Sequence, residues 1–421
     1  MNITISLQQI EKVLAVLFFL AVPLQVRYFL FGPVSPEQAE QGAEFVEWLS
    51  GFVYVSDVIF AALFVVWLVR YGSSLRTTLR RRFVQMVAVS VLISFFPLFW
   101  ALNGDAALFR SIKYVEFFLV FVWAYSTRTH LTIAASCLAF SGVFQALVGI
   151  GQFLTQKSLG LVFLAESPLA RFDENVAEII TTTGRFIRAY GTVPSPNILA
   201  FFLVITLLLL IFLYCKKHIP LAVFVLCSWV VSFALALTFS RGAISVGILA
   251  GVAFILLLVW RVKDVEKRAV QNAAIVLLCC CISVGGLLYR ELYERFFVAV
   301  HYDNAVSERI DSYGVVGSFP EYLLYGAGGG NTVAVGSASQ PIHNVFVLSA
   351  FEWGIVCSLI LIFVIGCALL RQMPVVSVRN TLFFCGVASV IAVSCIDHFF
   401  LTTQQGGLLL WVLMGFALRD P

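Results

Sequence analysis

The chain has 421 residues, of which 61% are hydrophobic and 12% are charged, and its formal net charge is +4. Its mean hydropathy of +0.97 excludes a water-soluble globular fold, in which about 25% of residues are charged. So small a positive charge gives no indication of nucleic-acid binding. The composition therefore predicts an integral membrane protein.

A helix needs about 20 apolar residues to cross a bilayer, and about twelve segments of the chain approach that length. No soluble domain and no internal repeat is evident, so the sequence predicts an all-α polytopic membrane protein whose single transmembrane domain covers residues 1–421. The segments lie near residues 10–31, 51–70, 83–102, 112–126, 131–154, 195–214, 219–239, 243–260, 270–289, 342–370, 380–399 and 404–418.

Basic residues alternate from loop to loop along the chain. Every even-numbered loop is short and carries Lys or Arg, whereas loop 32–50 holds four Glu and neither Lys nor Arg. Lys and Arg mark the cytoplasmic loops of membrane proteins. The alternation therefore predicts that both termini are cytoplasmic and that two large loops, residues 156–194 and 290–341, lie on the outer face.

Several arginines break this rule because they lie on the predicted outer face. Arg185 and Arg188 belong to the first large loop, Arg241 to a tight turn between two apolar segments, and Arg309 to the second large loop. The planar guanidinium group suits phosphate oxygens, so a shared anionic ligand is the functional interpretation. The alternative is that each arginine is solvated, or reaches lipid phosphate, on its own.

His343 and Asn344 form a pair where the polar stretch 301–354 re-enters an apolar segment. A histidine pKa of about 6.5 suits the ring to accept a proton from a hydroxyl group at neutral pH. The alternative is a structural histidine at the membrane surface. The other four histidines are interpreted as structural: His130, His218, His301 and His398.

The acidic and glycine-rich positions exclude several classes of site. The chain has no Asp-x-Asp pair and no His-x-x-x-His motif, so it predicts no metal and no cofactor. The run from Gly326 to Gly330 lacks the preceding strand and the following Lys-Ser/Thr of a phosphate-binding loop and is interpreted as a flexible loop. Glu116 and Asp397 are interpreted as lying near helix ends, which leaves the mid-membrane positions nearly free of charge and favours an enzyme over a transporter.

Three blocks of sequence resemble the O-antigen ligase and polymerase superfamily of bacterial polysaccharide-assembly glycosyltransferases. They are RAYGTVPSPN at residues 188–197, SRGA at residues 240–243, and the block that begins with His343 and Asn344. The ligase pattern at the third block, H-[NSQ]-x9-G-x-x-[GTY], is matched through Gly354, and Cys357 stands at its last position. The ligase R-x-x-x-L pattern and the paired R-x10-G loops of some polymerases are absent.

The resemblance implies a metal-independent, inverting glycosyltransferase with a GT-C-like arrangement of helices in the bacterial inner membrane and an active face in the periplasm. The donor would be a glycan on undecaprenyl diphosphate. Arg188 and Arg241 would bind the diphosphate and stabilise its charge as it leaves, and His343 would orient or deprotonate the acceptor hydroxyl. The remaining residues implied in substrate binding are Arg185, Arg309, Asn197 and Asn344.

Three functions stay open at this point. An O-antigen ligase would use a sugar of lipid A-core as the acceptor, and an O-antigen or exopolysaccharide polymerase would use a second carrier-linked glycan. A transporter of lipid-linked sugars is the alternative from another class, since it is also polytopic and lined by arginines.

Overall fold

The computed structural model describes residues 6–34, 38, 46–127, 131–171, 176–182, 184–263, 265–298, 309–336, 340–373 and 377–419. Helices make up 74% of the structure, with almost no sheet. The interpretations of His130 and His301 concern positions outside the described residues. The helices are α1 (Leu7–Ala21), α2 (Val55–Leu79), α3 (Arg82–Ser94), α4 (Gly104–Ser126), α5 (Leu131–Thr155), α6 (Pro196–Cys215), α7 (Leu221–Leu237), α8 (Arg241–Arg261), α9 (Lys267–Leu287), α10 (Tyr289–Tyr293), α11 (Gly314–Ser318), α12 (Tyr322–Tyr325), α13 (Thr332–Val335), α14 (Val345–Trp353), α15 (Ile355–Gln372), α16 (Val378–Ser394), α17 (Phe399–Thr402) and α18 (Gln404–Leu418).

Seven helical segments of the described chain are long and apolar enough to cross a membrane. Together with the composition, they make the chain a helical membrane protein. Three apolar helices, α7, α16 and α18, are shorter than these seven, and the total of twelve spans stays a prediction. The seven segments are Val55–Ser73, Arg82–Phe99, Leu131–Thr155, Pro196–Cys215, Arg241–Arg261, Lys267–Leu287 and Ile355–Gln372.

Two of the predicted segments are not single continuous helices in the structure. The first, 10–31, is helical only as far as Ala21, shortly before Pro23, which has no backbone N–H to continue the helix. Its second half forms strand β1 (Arg27–Phe31), which pairs antiparallel with β2 (Gly51–Tyr54) at the start of the second predicted segment. The tenth, 342–370, is broken at Gly354 into α14 and α15.

Helix α6 lies at the centre of the bundle, with 89% of its apolar window buried. It packs against α5, α7, α8 and α16. Small residues let these helices approach closely: a Cβ atom added at Gly142 of α5 would lie 1.9 Å from Thr206 Oγ1 of α6. Part of the apolar side-chain surface is therefore buried between helices inside the protein.

The two large loops contact each other at one end of the bundle. In the first loop, β3 (Glu178–Thr181) and β4 (Gly184–Ile187) form an antiparallel hairpin. At its tip, Thr182 N and Oγ1 donate to the carboxylate of Glu294 at 2.7 and 2.6 Å, and Arg290 Nη2 lies 2.6 Å from Thr182 Oγ1. Residues far apart in sequence are thereby collected on one side of the molecule.

Candidate functional site

One cavity brings together residues from both large loops and from the helix ends beside them. It encloses about 530 Å³ of empty space, counting the part open to solvent, and is called the arginine cavity below. The charged side chains among its described lining residues are four arginines and one aspartate, so positive charge is in excess. These and the neighbouring amide are Arg188, Arg241, Arg295, Arg309, Asp397 and Asn197.

Two buried glutamines of α5 hold the loop segment that carries Arg188. Gln152 Oε1 accepts from Gly191 N at 2.8 Å and its Nε2 donates to Gly191 O at 2.8 Å. Two helical turns earlier on α5, Gln145 Oε1 accepts from Thr192 N and its Nε2 donates to Thr192 Oγ1, both at 2.7 Å. A glutamine side chain that both donates and accepts can replace strand partners for an irregular backbone. The loop is thus fixed where it enters the bundle.

Arg188 itself is buried, with 8% of its surface exposed. Its Nε donates to Thr238 O at 2.6 Å and its Nη2 donates to Asn197 Oδ1 at 2.9 Å. Asn197 Nδ2 then donates to Asp397 Oδ2 at 3.3 Å. The amide of Asn197 therefore links a cation and a carboxylate that come from opposite parts of the chain.

Arg241 is the first residue of α8 and follows a strained turn. Phe239 has a positive φ of +48°, a conformation that is uncommon for a residue with a Cβ atom. Its carbonyl accepts from Arg295 Nε at 3.2 Å, and the main-chain N–H of Ala189 donates to Leu237 O at 3.0 Å. The last carbonyl of α7, that of Leu237, is thereby satisfied, and the positive end of the α8 dipole lies at the arginine cavity.

His343 lies between two buried residues, Ile342 and Val345. Its backbone N–H donates to Ser312 Oγ at 3.4 Å. The buried Nδ1 atom of its ring has no hydrogen-bond partner in the described part of the chain. An unpaired ring nitrogen in a half-buried position is a natural acceptor for a hydroxyl group of a ligand.

His398, interpreted from the sequence as structural, is in ring contact with His343. The two ring centroids are 4.8 Å apart at an interplanar angle of 68°. His398 is buried, and its Nδ1 lies 2.8 Å from Thr402 Oγ1. Its backbone N–H donates to Asp397 Oδ1 at 2.8 Å. In the sequence, only the position of Asp397 next to His398, at the end of an apolar segment, could have indicated the contact between His398 and His343.

The electrostatics favour neutral rings at both histidines. Burial lowers the pKa of His343, Asp397 opposes that shift, and the positive charge of Arg309 adds to it. Burial lowers the pKa of His398 to about 4, again against the effect of Asp397. A neutral imidazole at physiological pH can accept a proton, whereas a protonated one cannot.

Two predicted site residues have other partners. Asn344 caps α14: its Oδ1 accepts from Phe346 N at 2.9 Å and Val347 N at 3.1 Å, and its Nδ2 donates to Cys395 O at 3.2 Å. It holds the chain beside His343 rather than the ring itself. Arg185 lies on β4, 45% exposed, with its Nε 2.7 Å from Glu178 Oε2. It is not among the residues that line the arginine cavity.

The interpretation of Glu116 as a residue near a helix end is wrong. It lies twelve residues after the start of α4 and ten before its end, where Lys113 Nζ is 2.8 Å from its carboxylate. Lys113 also pairs with Asp57 of α2. Gln404 Nε2 donates to Asp57 and Glu116 at 2.6 and 3.1 Å. Local apolar periodicity cannot reveal such a cluster, because its members come from three helices.

The arginine cavity suits an anion, and His343, which interacts with Arg309 and Asp397 of its lining but does not itself line it, can accept a proton. Among the described residues, no group of three or more His, Cys, Asp or Glu side chains could hold a metal ion. No protein-family model matches the chain, and no curated protein is significantly similar to it.

Proposed function

We propose that this protein is a glycosyltransferase that moves a glycan from undecaprenyl diphosphate to a hydroxyl group of lipid A-core. The convergence of Arg188, Arg241 and Arg309 in one cavity beside His343 carries the proposal. A diphosphate gains negative charge as its bond to the sugar breaks, and fixed guanidinium groups stabilise that charge more strongly than water does. The resemblance of the three sequence blocks to O-antigen ligases supports the same assignment.

In the proposed reaction His343 removes the proton of the acceptor hydroxyl group while the oxygen of that hydroxyl group attacks the anomeric carbon of the donor. The bond from that carbon to the phosphate oxygen breaks, its electron pair leaves with undecaprenyl diphosphate, and the configuration at carbon inverts. A well-placed general base contributes roughly 10²–10⁴-fold to such a step. The unpartnered Nδ1 atom and the lowered pKa of His343 support this role.

The proposed location is the bacterial inner membrane, with both termini in the cytoplasm and the arginine cavity in the periplasm. The alternation of basic loops supports this orientation. A polymerase that extends carrier-linked repeats would need the same diphosphate site and differs only in its acceptor.

The buried cluster around Lys113 gives a specific reason to keep the transporter as the second candidate. Ionisable side chains inside a membrane bundle often line substrate or ion pathways. Here Lys113 is paired with both Asp57 and Glu116, and the cluster lies apart from the lining of the arginine cavity. Paired charges of this kind also occur as structural links between helices, and the excess of arginine in the arginine cavity, close to His343, favours the enzyme.

The deciding experiment incubates the purified protein with an undecaprenyl-diphosphate-linked oligosaccharide, with and without lipid A-core. Glycan on lipid A-core supports the ligase. Longer glycan on the carrier, independent of lipid A-core, supports the polymerase. No product beside an active control enzyme, together with uptake of the donor into proteoliposomes, supports the transporter.

A matched pair of arginine substitutions tests the site itself. Arg241→Lys keeps the charge but loses the planar fork, so we expect it to lose most of the transfer activity. Arg185→Lys makes the same change on the β3–β4 hairpin and should stay near the wild-type rate. An Arg241→Lys variant that is as active as the wild type and Arg185→Lys would contradict diphosphate binding by Arg241.

A further inference from the structure

An exposed apolar turn interrupts the first large loop shortly after α5 ends. Residues 159–164, called the apolar turn below, read LGLVFL. Val162 and Phe163 lie at its tip, in the 3₁₀ turn Val162–Leu164, with 81% and 74% of their surfaces exposed. Exposing large apolar side chains to water is unfavourable, and adjacent ones on a loop indicate a contact with an apolar partner.

Glu166 and Ser158 give the apolar turn a defined structure. One carboxylate oxygen of Glu166 accepts from Leu159 N and the other from Leu161 N, both at 2.7 Å. At the base of the turn, Ser158 N donates to Leu169 O at 3.3 Å and Leu169 N donates to Ser158 Oγ at 2.7 Å. These backbone N–H groups have partners inside the protein, so they do not need water if the turn enters an apolar phase.

The apolar turn folds back along the last turn of α5. That helix has 25 residues and is therefore about 37 Å long, whereas the hydrocarbon core of a bilayer is about 30 Å thick. The chain reverses at Gln156, which has a φ of +54°. Leu159 then lies beside Gly151, where an added Cβ atom would be 2.9 Å from Leu159 Cδ1. The fold-back thus returns the turn from the helix end towards the hydrocarbon core.

An apolar stripe on α5 leads to this turn. Phe140, Leu147 and Leu154 are spaced seven residues apart, so they share one face of the helix, and each is more than half exposed. Because α5 is long and apolar enough to cross a membrane, this face suits lipid. Gly151, against which Leu159 packs, lies one helical turn before Leu154. The apolar turn therefore continues the stripe.

The charges around the apolar turn fit a phospholipid surface. Lys157, two residues before the turn, is exposed, and a lysine in this position can extend its ammonium group to lipid phosphate. Glu166 is the only acidic residue between positions 156 and 170. Its carboxylate is held by N–H groups of the protein, including Gln152 Nε2 at 2.8 Å. The turn thus presents apolar side chains next to a cation.

Gln152 connects the apolar turn to the segment that carries Arg188. The Nε2 atom of this buried side chain donates to Glu166 Oε1 and to Gly191 O, both at 2.8 Å. Gly191 lies three residues after Arg188. A contact that holds the turn at the membrane surface therefore also helps to hold the Arg188 segment at a fixed height above the lipid.

We infer that Val162 and Phe163 insert into the leaflet at the C-terminal end of α5 and anchor the first large loop to the membrane. The partner is phospholipid, with acyl chains around the two apolar side chains and headgroup phosphate near Lys157. The inference goes beyond the proposed function and does not depend on it, because it concerns the lipid surface and not the transfer reaction.

Site-specific photocrosslinking tests the inference on the full chain. Benzoylphenylalanine, a photoreactive derivative of phenylalanine, is placed at Phe163 in one variant and at Ile180 in the other. Both proteins are reconstituted in nanodiscs of phosphatidylethanolamine and phosphatidylglycerol. Ile180 is the matched control, since it belongs to the same loop and is 71% exposed, but it pairs in register with Arg185 of β4 and so lies next to a charged side chain.

A phenylalanine side chain prefers an apolar phase to water roughly 10–100-fold. We therefore expect about tenfold more phospholipid adduct from position 163 than from position 180, measured by mass spectrometry. Equal amounts of adduct at the two positions would overturn the inference. A crosslink from position 163 to a second copy of the chain, in place of lipid, would also overturn it and identify the turn as a protein interface.

A second measurement gives an independent answer. Phe163→Trp and Ile180→Trp are reconstituted in nanodiscs whose phospholipids carry brominated acyl chains, which quench indole fluorescence on contact. The emission of the added indole is obtained by subtracting that of the wild type. We expect strong quenching for Phe163→Trp and little for Ile180→Trp, and equal quenching of the two would contradict insertion of the apolar turn.

Discussion

Helix α14, which begins two residues after His343, ends at a break at Gly354. Adding a single methyl group at Gly354 tests the importance of this break. Gly354 has φ +87°, which L side chains rarely adopt, and an added Cβ would lie 2.9 Å from Leu324 O. Backbone strain of this kind costs about 1–3 kcal/mol. Because the nearest atom is a main-chain oxygen, the clash cannot be relieved by a side-chain rotation. We therefore expect Gly354→Ala to destabilise the protein.

Gly366 in α15 offers the matched control. Nothing lies within 4 Å of a Cβ atom added there, and alanine in place of glycine inside a helix is favourable by about 0.5–1 kcal/mol. The same methyl group should thus have opposite effects at the two positions, with a separation of about 1.5–4 kcal/mol between the variants.

The assay is the midpoint of thermal unfolding of each purified variant in the same detergent. Gly354→Ala should unfold below the wild type, and Gly366→Ala at or above it. Because α14 begins two residues after His343, Gly354→Ala should also lower transfer activity below its unfolding temperature. A Gly354→Ala protein as stable as Gly366→Ala would refute the account of the helix break.

Two further predictions concern the arginine cavity. Removing the positive charge with Arg309→Gln should raise the pKa of His343, so the acid limb of the rate profile moves to higher pH; Asp397→Asn should lower that pKa and move the limb to lower pH. Each profile is compared with its own plateau, and shifts in the same direction would contradict the assignment of His343 as the base. Asn197→Ala removes hydrogen bonds to Arg188 and Asp397, each worth about 1.5–3 kcal/mol when one partner is charged. If one of these hydrogen bonds stabilises the transition state, its loss lowers kcat/KM about 10–100-fold. A wild-type kcat/KM in Asn197→Ala would show that this amide does not position Arg188.

The class of the protein could be predicted from the sequence because it depends on local properties. A helix satisfies its own backbone hydrogen bonds, so a long apolar run is enough to indicate a membrane helix wherever the rest of the chain lies. Six of the seven long apolar segments agree with the predicted ones in position, and the seventh, Ile355–Gln372, covers only the second part of the predicted segment 342–370. The prediction was wrong for the second half of the first segment, which forms β1, since the pairing of β1 with β2 depends on residues twenty or more positions away.

The membership of the site was only partly predictable. Arg188, Arg241 and Arg309 were predicted from residue type and position, and Asn197 from the family resemblance; the structure brings all four into one cavity. The contact between the rings of His343 and His398 was not predicted, because the neighbouring Asp397 is the only local feature that sets His398 apart.

The tertiary structure decided the rest through contacts between distant residues. Asn197 and Asp397 are 200 positions apart, and Gln145 meets Thr192 across 47. Such pairs form because each buried polar group must find a partner when water is excluded. The partner is the one that helix packing brings near, which no local pattern in the chain records.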